Sequence, residues 1–208
     1  MRILHGAFAL LGALFAVACA TTTVRSAWFD TSYQGGPLKK VVVVGVGAQA
    51  ADRRVFEDIF SQRLRDAGVE AIPGYTVATD EARQSDTAFT AAVERTGADG
   101  VLIVRLLGVD TRTQISTTMV SGPSMGWGPG MGWGSGPGFG TTWFPVQQVS
   151  QYDIARVETS LYEVRARRLI WTATTDTFSP RNVAAETPAF ANVIIGELRA
   201  RGLIAATS

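Results

Sequence analysis

One histidine and one cysteine, His5 and Cys19, are all that this 208-residue chain offers of the side chains most used for catalysis and metal binding. Both lie in the first nineteen residues. A zinc site needs His or Cys ligands, and beyond Cys19 there are none. No metal and no cofactor is therefore expected. Nucleophilic catalysis lacks a histidine base. A Ser–Lys pair would have to use Lys39 or Lys40, the only lysines, side by side at the start of a strand with no supporting motif. No catalytic residue is assigned, and the expectation is a protein that is not an enzyme. Charge of one sign is also missing. Without Arg2, eighteen basic residues face eighteen acidic ones, so nucleic-acid binding has no electrostatic support. No apolar run is long enough to span a bilayer as a helix.

The longest apolar run, Ala7–Ala18, instead has the length of a signal-peptide core, with Arg2 before it. Small residues lead into Cys19 in the order Ala16-Val17-Ala18-Cys19. This resembles the bacterial lipobox, although Ala16 stands where leucine is usual. A lone thiol just after a cleavage site cannot form an internal disulfide, which favours lipidation over an incidental cysteine. The lipobox resemblance implies three acyl chains on Cys19, palmitate among them, more than the two signals stable anchoring needs. Ala20 rather than aspartate follows, which in such lipoproteins implies the periplasmic face of the outer membrane. The expected organisation is a signal peptide over 1–18, a lipidated tether and lead-in over 19–37, and one domain over 38–208.

About 190 residues remain after cleavage, enough for one domain, and the 46% apolar content of the whole chain can fill a core. Trp28 and Phe29 in the lead-in read as a first edge strand or a partner contact. Lys39–Val46 is β-branched without polar alternation, the pattern of a strand buried on both faces. Asp52 is expected to cap a helix whose apolar face is Val55, Phe56, Ile59, Phe60 and Leu64, ending at Gly68. Val69–Ile72 reads as a second strand. A helix from Ser85 or Asp86 carries Phe89, Ala92 and Val93 inward and ends at Gly97. Gly100–Gly108 is a third strand, with a more exposed continuation through Val109–Ser116. Tyr152–Val164 and Leu169–Phe178 form a hairpin across Arg165–Arg168. Thr187 is expected to cap a last helix with Pro188 at its first position, Phe190, Val193, Ile194 and Leu198 inward, and Gly202 at its end.

The fold class is thus α/β: a single domain with a mixed sheet in the order β-α-β-α-β-β-β-α. A Gly/Trp-rich insertion, 121–143, interrupts it.

Two stretches invite a functional reading. Gly45-Val46-Gly47-Ala48-Gln49-Ala50 matches the dinucleotide fingerprint G-x-G-x-x-[GA], with Glu70 about twenty residues on. Asp52 would compete with a phosphate at the helix start, Glu70 falls early in its strand, and export removes the cofactor pool. A tight turn that needs glycine is the preferred reading. The carboxylates Asp99, Asp110, Asp153, Glu158 and Asp176 have no local motif and read as solvated surface. The insertion is the stronger candidate. Met125, Trp127, Met131, Trp133, Phe139, Trp143 and Phe144 place large apolar groups on an uncharged, glycine-rich segment suited to lipid headgroups or a partner.

Thr96-Gly97-Ala98-Asp99-Gly100-Val101-Leu102 and the hairpin Leu161-Tyr162-Glu163-Val164 … Leu169-Ile170-Trp171-Thr172-Ala173 resemble the TolB N-terminal-like α/β domains. That group includes curli-secretion lipoproteins and lipoprotein activators of penicillin-binding proteins. The resemblance covers roughly 39–203 outside the insertion, and Arg165–Arg168 replaces the usual turn glycine. It implies fold and compartment: an envelope lipoprotein that binds or scaffolds another envelope component. Thr111–Thr118 is too polar for a lipid-facing strand, which argues against a pore. The expected partners are the membrane, through the lipid anchor, and an envelope protein; a homo-oligomer is left open. The alternative is a carboxylate-based enzyme or carrier acting on a small envelope substrate.

Overall fold

The computed structural model describes residues 22–124, 140–178 and 182–205, with backbone alone for 122–124, 140–144 and 178. Residues 1–18, expected to be a signal peptide, Cys19 and the insertion residues Met125, Trp127, Met131, Trp133 and Phe139 lie outside the described residues. Trp143 and Phe144 are described by their backbone only.

Among the described residues, six strands form one mixed sheet. They are β1 (Thr22–Phe29), β2 (Lys40–Val46), β3 (Glu70–Pro73), β4 (Gly100–Ser124), β5 (Gly140–Glu163) and β6 (Arg168–Phe178). Their order across the sheet is β1-β6-β5-β4-β2-β3. β2 runs parallel to β3 and β4, and the other neighbours are antiparallel. The α/β class and the mixed sheet therefore stand. β1 extends the domain into the lead-in: Phe29 pairs with Trp171 and packs on the core, while Trp28 is half exposed.

The four consecutive valines of β2 explain its central place. Side chains alternate across a strand. Val41 and Val43 join the larger core beneath α1 (Ala50–Asp66) and α4 (Val183–Ala200), with Phe60, Leu64, Phe190 and Ile194. Val42 and Val44 join the smaller one beneath α3 (Asp86–Arg95), with Val93 and Val101. A strand covered on both faces gains from being apolar at every position. Phe56, Phe60 and Phe190 meet at tilted or edge-on angles, with ring centroids 5.6–6.1 Å apart, and bind α1 to α4.

The helix ends follow backbone chemistry. Gly68, Gly97 and Gly202 have φ of +85°, +66° and +68°, each just past a helix end as expected. Ser85 caps α3 by accepting the Ala88 N–H. Two expectations are corrected. Asp52 does not cap α1: Gln49 does so by backbone, and Asp52 lies in the first turn, where its charge favours the helix dipole. Thr187 does not cap α4 either. Asn182 starts that helix by accepting the Ala185 N–H at 2.7 Å, which places Pro188 inside it. The Thr187 hydroxyl donates to the Val183 carbonyl within the same turn. Burial of Phe190, Ile194 and Leu198 outweighs the bond lost at proline.

The apolar face assigned to α1 is also shifted. Val55 is exposed, and Glu57 and Ser61 are buried instead. Between β3 and α3 the chain forms a single helical turn, α2 (Gly74–Val77), and a short 3-10 turn over Ala82–Gln84.

The largest departure is the length of β4 and β5, at 25 and 24 residues. β2 accompanies β4 only to Arg105, and β6 accompanies β5 only back to Ile154. Beyond those points, among the described residues, the two strands pair with one another alone, from Thr111↔Asp153 to Ser124↔Gly140, after an irregularity between Leu106 and Gly108. At about 3.3 Å per residue this two-stranded ribbon is about 45 Å long. The exposed continuation of the third strand is present. The boundaries placed at 121–143 and at Tyr152 were too conservative, because strand pairing takes in Ser121–Ser124 and Gly140–Gln151.

Candidate functional site at the ribbon end of the sheet

Strand directions collect several features at one end. β4 leaves the sheet there as the ribbon, and β6, parallel to β4 through β5, ends there. β1 is antiparallel to β6, so it begins there, with Thr22 opposite Thr177. The Thr22 and Thr177 hydroxyls are hydrogen-bonded at 3.0 Å. The first residues of α1 and α4 border the same end.

The ribbon carries no charge between Arg112 and Asp153. Charges occur only at its base, where Arg156 bridges Asp110 and buried Asp176, and Thr111 donates to Asp153 at 2.7 Å. Register sorts the side chains. One face alternates apolar pairs (Val109/Ala155, Ile115/Val149, Met119/Pro145) with polar ones (Thr111/Asp153, Thr113/Gln151, Thr117/Gln147). The other face runs Gln114/Ser150, Ser116/Gln148 and then Thr118/Val146. Ile115, Val149 and Met119 are 64%, 61% and 60% exposed. Neither face has the unbroken apolar band of a lipid-spanning strand. Among the described residues both outer edges present unpaired backbone groups along this length, an arrangement that recruits another strand unless it is blocked.

At the ribbon base is an open cavity of about 290 Å³, walled almost wholly by carbon. Val104, Leu106 and Val109 of β4 and Ala155 and Val157 of β5 form its floor, and Phe190 of α4 its back. Asp52 and Arg53 from α1 and Glu186 from α4 are the charged residues in its lining.

The dinucleotide-like stretch borders this cavity but is occupied by the fold. Gly45 lies within β2, and its N–H donates to Glu57 Oε1 at 2.9 Å. Gly47 has φ +88°, and a Cβ there would lie 3.1 Å from the Leu106 carbonyl. These glycines serve a tight strand-to-helix turn.

Glu57 was not singled out in the sequence. It is fully buried, and both of its oxygens are engaged. Oε1 accepts from Gly45 N–H and Arg83 Nη1, and Oε2 accepts from Tyr75 N–H at 2.6 Å and Arg83 Nη2. One carboxylate thus ties α1 to the end of β2, to the turn after β3 and to the segment before α3. A glutamate between Phe56 and Phe60 on an apolar helix face was the available signal. Close by, the Tyr75 hydroxyl donates to Asp58 at 2.9 Å, and that bond holds its pKa above the usual tyrosine value.

The five carboxylates of the sequence reading do not converge. Asp99 accepts the Lys39 and Lys40 N–H groups at the opposite end of β2. Asp110 and Asp176 share Arg156, and Asp176 also pairs with Arg25. Glu158 is opposite Arg105 and Thr174. None of the five lines the cavity. Asp176 is corrected from solvated surface to a buried ion-pair hub. Lys40 pairs with Glu70 at 2.8 Å.

No family model and no curated protein matches the chain. Among solved structures it is similar to the PelC dodecamer from Paraburkholderia phytofirmans, at 14% identity and TM-score 0.44, over 89% of this chain and 99% of that one. It is also similar to lipoprotein GNA1162 from Neisseria meningitidis, at 11% identity and TM-score 0.41, over 77% of this chain and 98% of that one. At these values the likeness assigns no function.

Proposed function

We propose that this chain is a non-enzymatic lipoprotein of the bacterial envelope, anchored through Cys19 at the periplasmic face of the outer membrane. Its ribbon is the arm that docks another envelope component. The observation that carries this reading is the ribbon itself: a long hairpin, uncharged between Arg112 and Asp153, with two open backbone edges. An isolated hairpin of this kind is marginal in water and gains by adding a strand. The polar pairs on both faces favour a protein partner over lipid. Thr22 begins at the ribbon end, so the arm extends from the side of the domain nearest the anchor. The TolB N-terminal-like and curli-secretion resemblance supports the compartment.

Photo-cross-linking in intact cells tests this reading. A photoreactive residue at Ile115 or Met119 is expected to capture one envelope protein, and the same residue at exposed Gln62 on α1 is not. Equal capture from both sites would contradict the proposal.

The alternative, a carrier or carboxylate enzyme for a small envelope substrate, is favoured by the cavity with Asp52 and Glu186 in its lining. It predicts that the Asp52→Asn, Glu186→Gln variant fails to replace the wild-type chain in cells lacking it while ribbon cross-links persist.

A further inference from the structure

We infer that the cavity at the ribbon base shelters one acyl chain of the lipid carried by Cys19. The inference rests on the lipoprotein reading and adds a binding site to it. Thr177 lines the cavity, and the Thr22 hydroxyl is bonded to it at 3.0 Å. Thr22 therefore sits one hydrogen bond from the cavity wall. Cys19 is three residues earlier, which limits its distance from Thr22 to about 10 Å. An acyl chain easily bridges that gap.

The lining suits such a guest. Val46 and Leu106 face Val183 and Phe190 across a space with few polar atoms. Its volume of about 290 Å³ is near the lower limit for ligand cavities, about 300 Å³. An apolar cavity takes up an apolar guest in preference to water. Exposed Asp52 and partly exposed Arg53 line the same cavity, where the polar glyceryl part of the lipid can meet solvent. A lipid with three acyl chains can place one here and leave two in the membrane, which is sufficient for anchoring. The domain is then held close to its anchor rather than swinging on a tether.

The test uses the full chain made in cells fed a diazirine-bearing palmitate analogue, irradiated, purified and mapped by mass spectrometry. The expected result is a Cys19 peptide joined to a peptide containing Val183 or Phe190, and loss of that link in Ala48→Trp, which fills the exposed rim. Label on Cys19 without any cavity link overturns this inference and leaves lipidation standing. Cavity adducts that survive in Cys19→Ala come from membrane phospholipid and overturn the assignment to the chain's own lipid. Absence of label on Cys19 overturns both.

Discussion

Glu57 and Arg83 form a two-pronged ion pair, Oε1 to Nη1 at 3.0 Å and Oε2 to Nη2 at 3.1 Å. The carboxylate is fully buried and the arginine nearly so. Removing one partner strands the other charge, which costs about 3–5 kcal/mol. Glu57→Ala is expected to lose that much in urea unfolding, and Glu57→Gln less, because its amide oxygen still accepts a hydrogen bond. A loss under about 1 kcal/mol for Glu57→Ala, the ordinary worth of one hydrogen bond, would show that the pair does not hold these turns.

Gly47 gives a second test. Its positive φ and the nearby Leu106 carbonyl predict that Gly47→Ala destabilises the fold by about 1–2 kcal/mol. Added NAD is expected to leave the melting temperature of wild type unchanged. A dinucleotide-dependent rise would restore the phosphate-binding reading of this turn.

Asn182 is the cap that sequence reasoning assigned to Thr187. Asn182→Ala is expected to cost about 1 kcal/mol, read from the denaturation midpoint. A neutral result would show that α4 is started by its burial alone.

Tyr75 supplies a pH test. Its bond to Asp58 favours the neutral phenol, so the contact contributes below the ordinary tyrosine pKa of about 10 and is lost as pH rises through the raised value. Ultraviolet difference titration, with Tyr75→Phe as the blank, is expected to show a midpoint above that of free tyrosine. Asp58→Asn should move it down. No movement would remove Asp58 as the cause.

The doubly buried β2, the helix after it and the β5–β6 hairpin were legible because apolar periodicity reports burial directly. Gly68, Gly97 and Gly202 were legible as helix ends because positive φ favours glycine. The start of α4 was misplaced because Thr187-Pro188 imitates a helix start, while Asn182 looks like an ordinary loop residue. Ribbon length was underestimated for a related reason. Its strands face water on both sides, so Thr111–Ser124 shows neither continuous nor alternating hydrophobicity, and only pairing reveals it. Glu57 and Asp176 were missed as buried groups because their partners, Arg83, Arg25 and Arg156, are distant in sequence. The cavity is assembled from β2, α1, β4, β5, β6 and α4, and no local pattern encodes it.

The ribbon is the centre of the account, and shortening it is the most direct measurement. Residues 113–151 are replaced by an Asn-Gly turn, which suits a two-residue hairpin connection between the paired Arg112 and Tyr152, in a Cys19→Ala background that removes the lipid anchor. The remaining sheet keeps its pairing, so the melting temperature should change little. The account predicts that the shortened chain loses the envelope component that co-purifies with the full-length Cys19→Ala protein, and with it any residual membrane association. Unchanged co-purification and unchanged membrane association would contradict it.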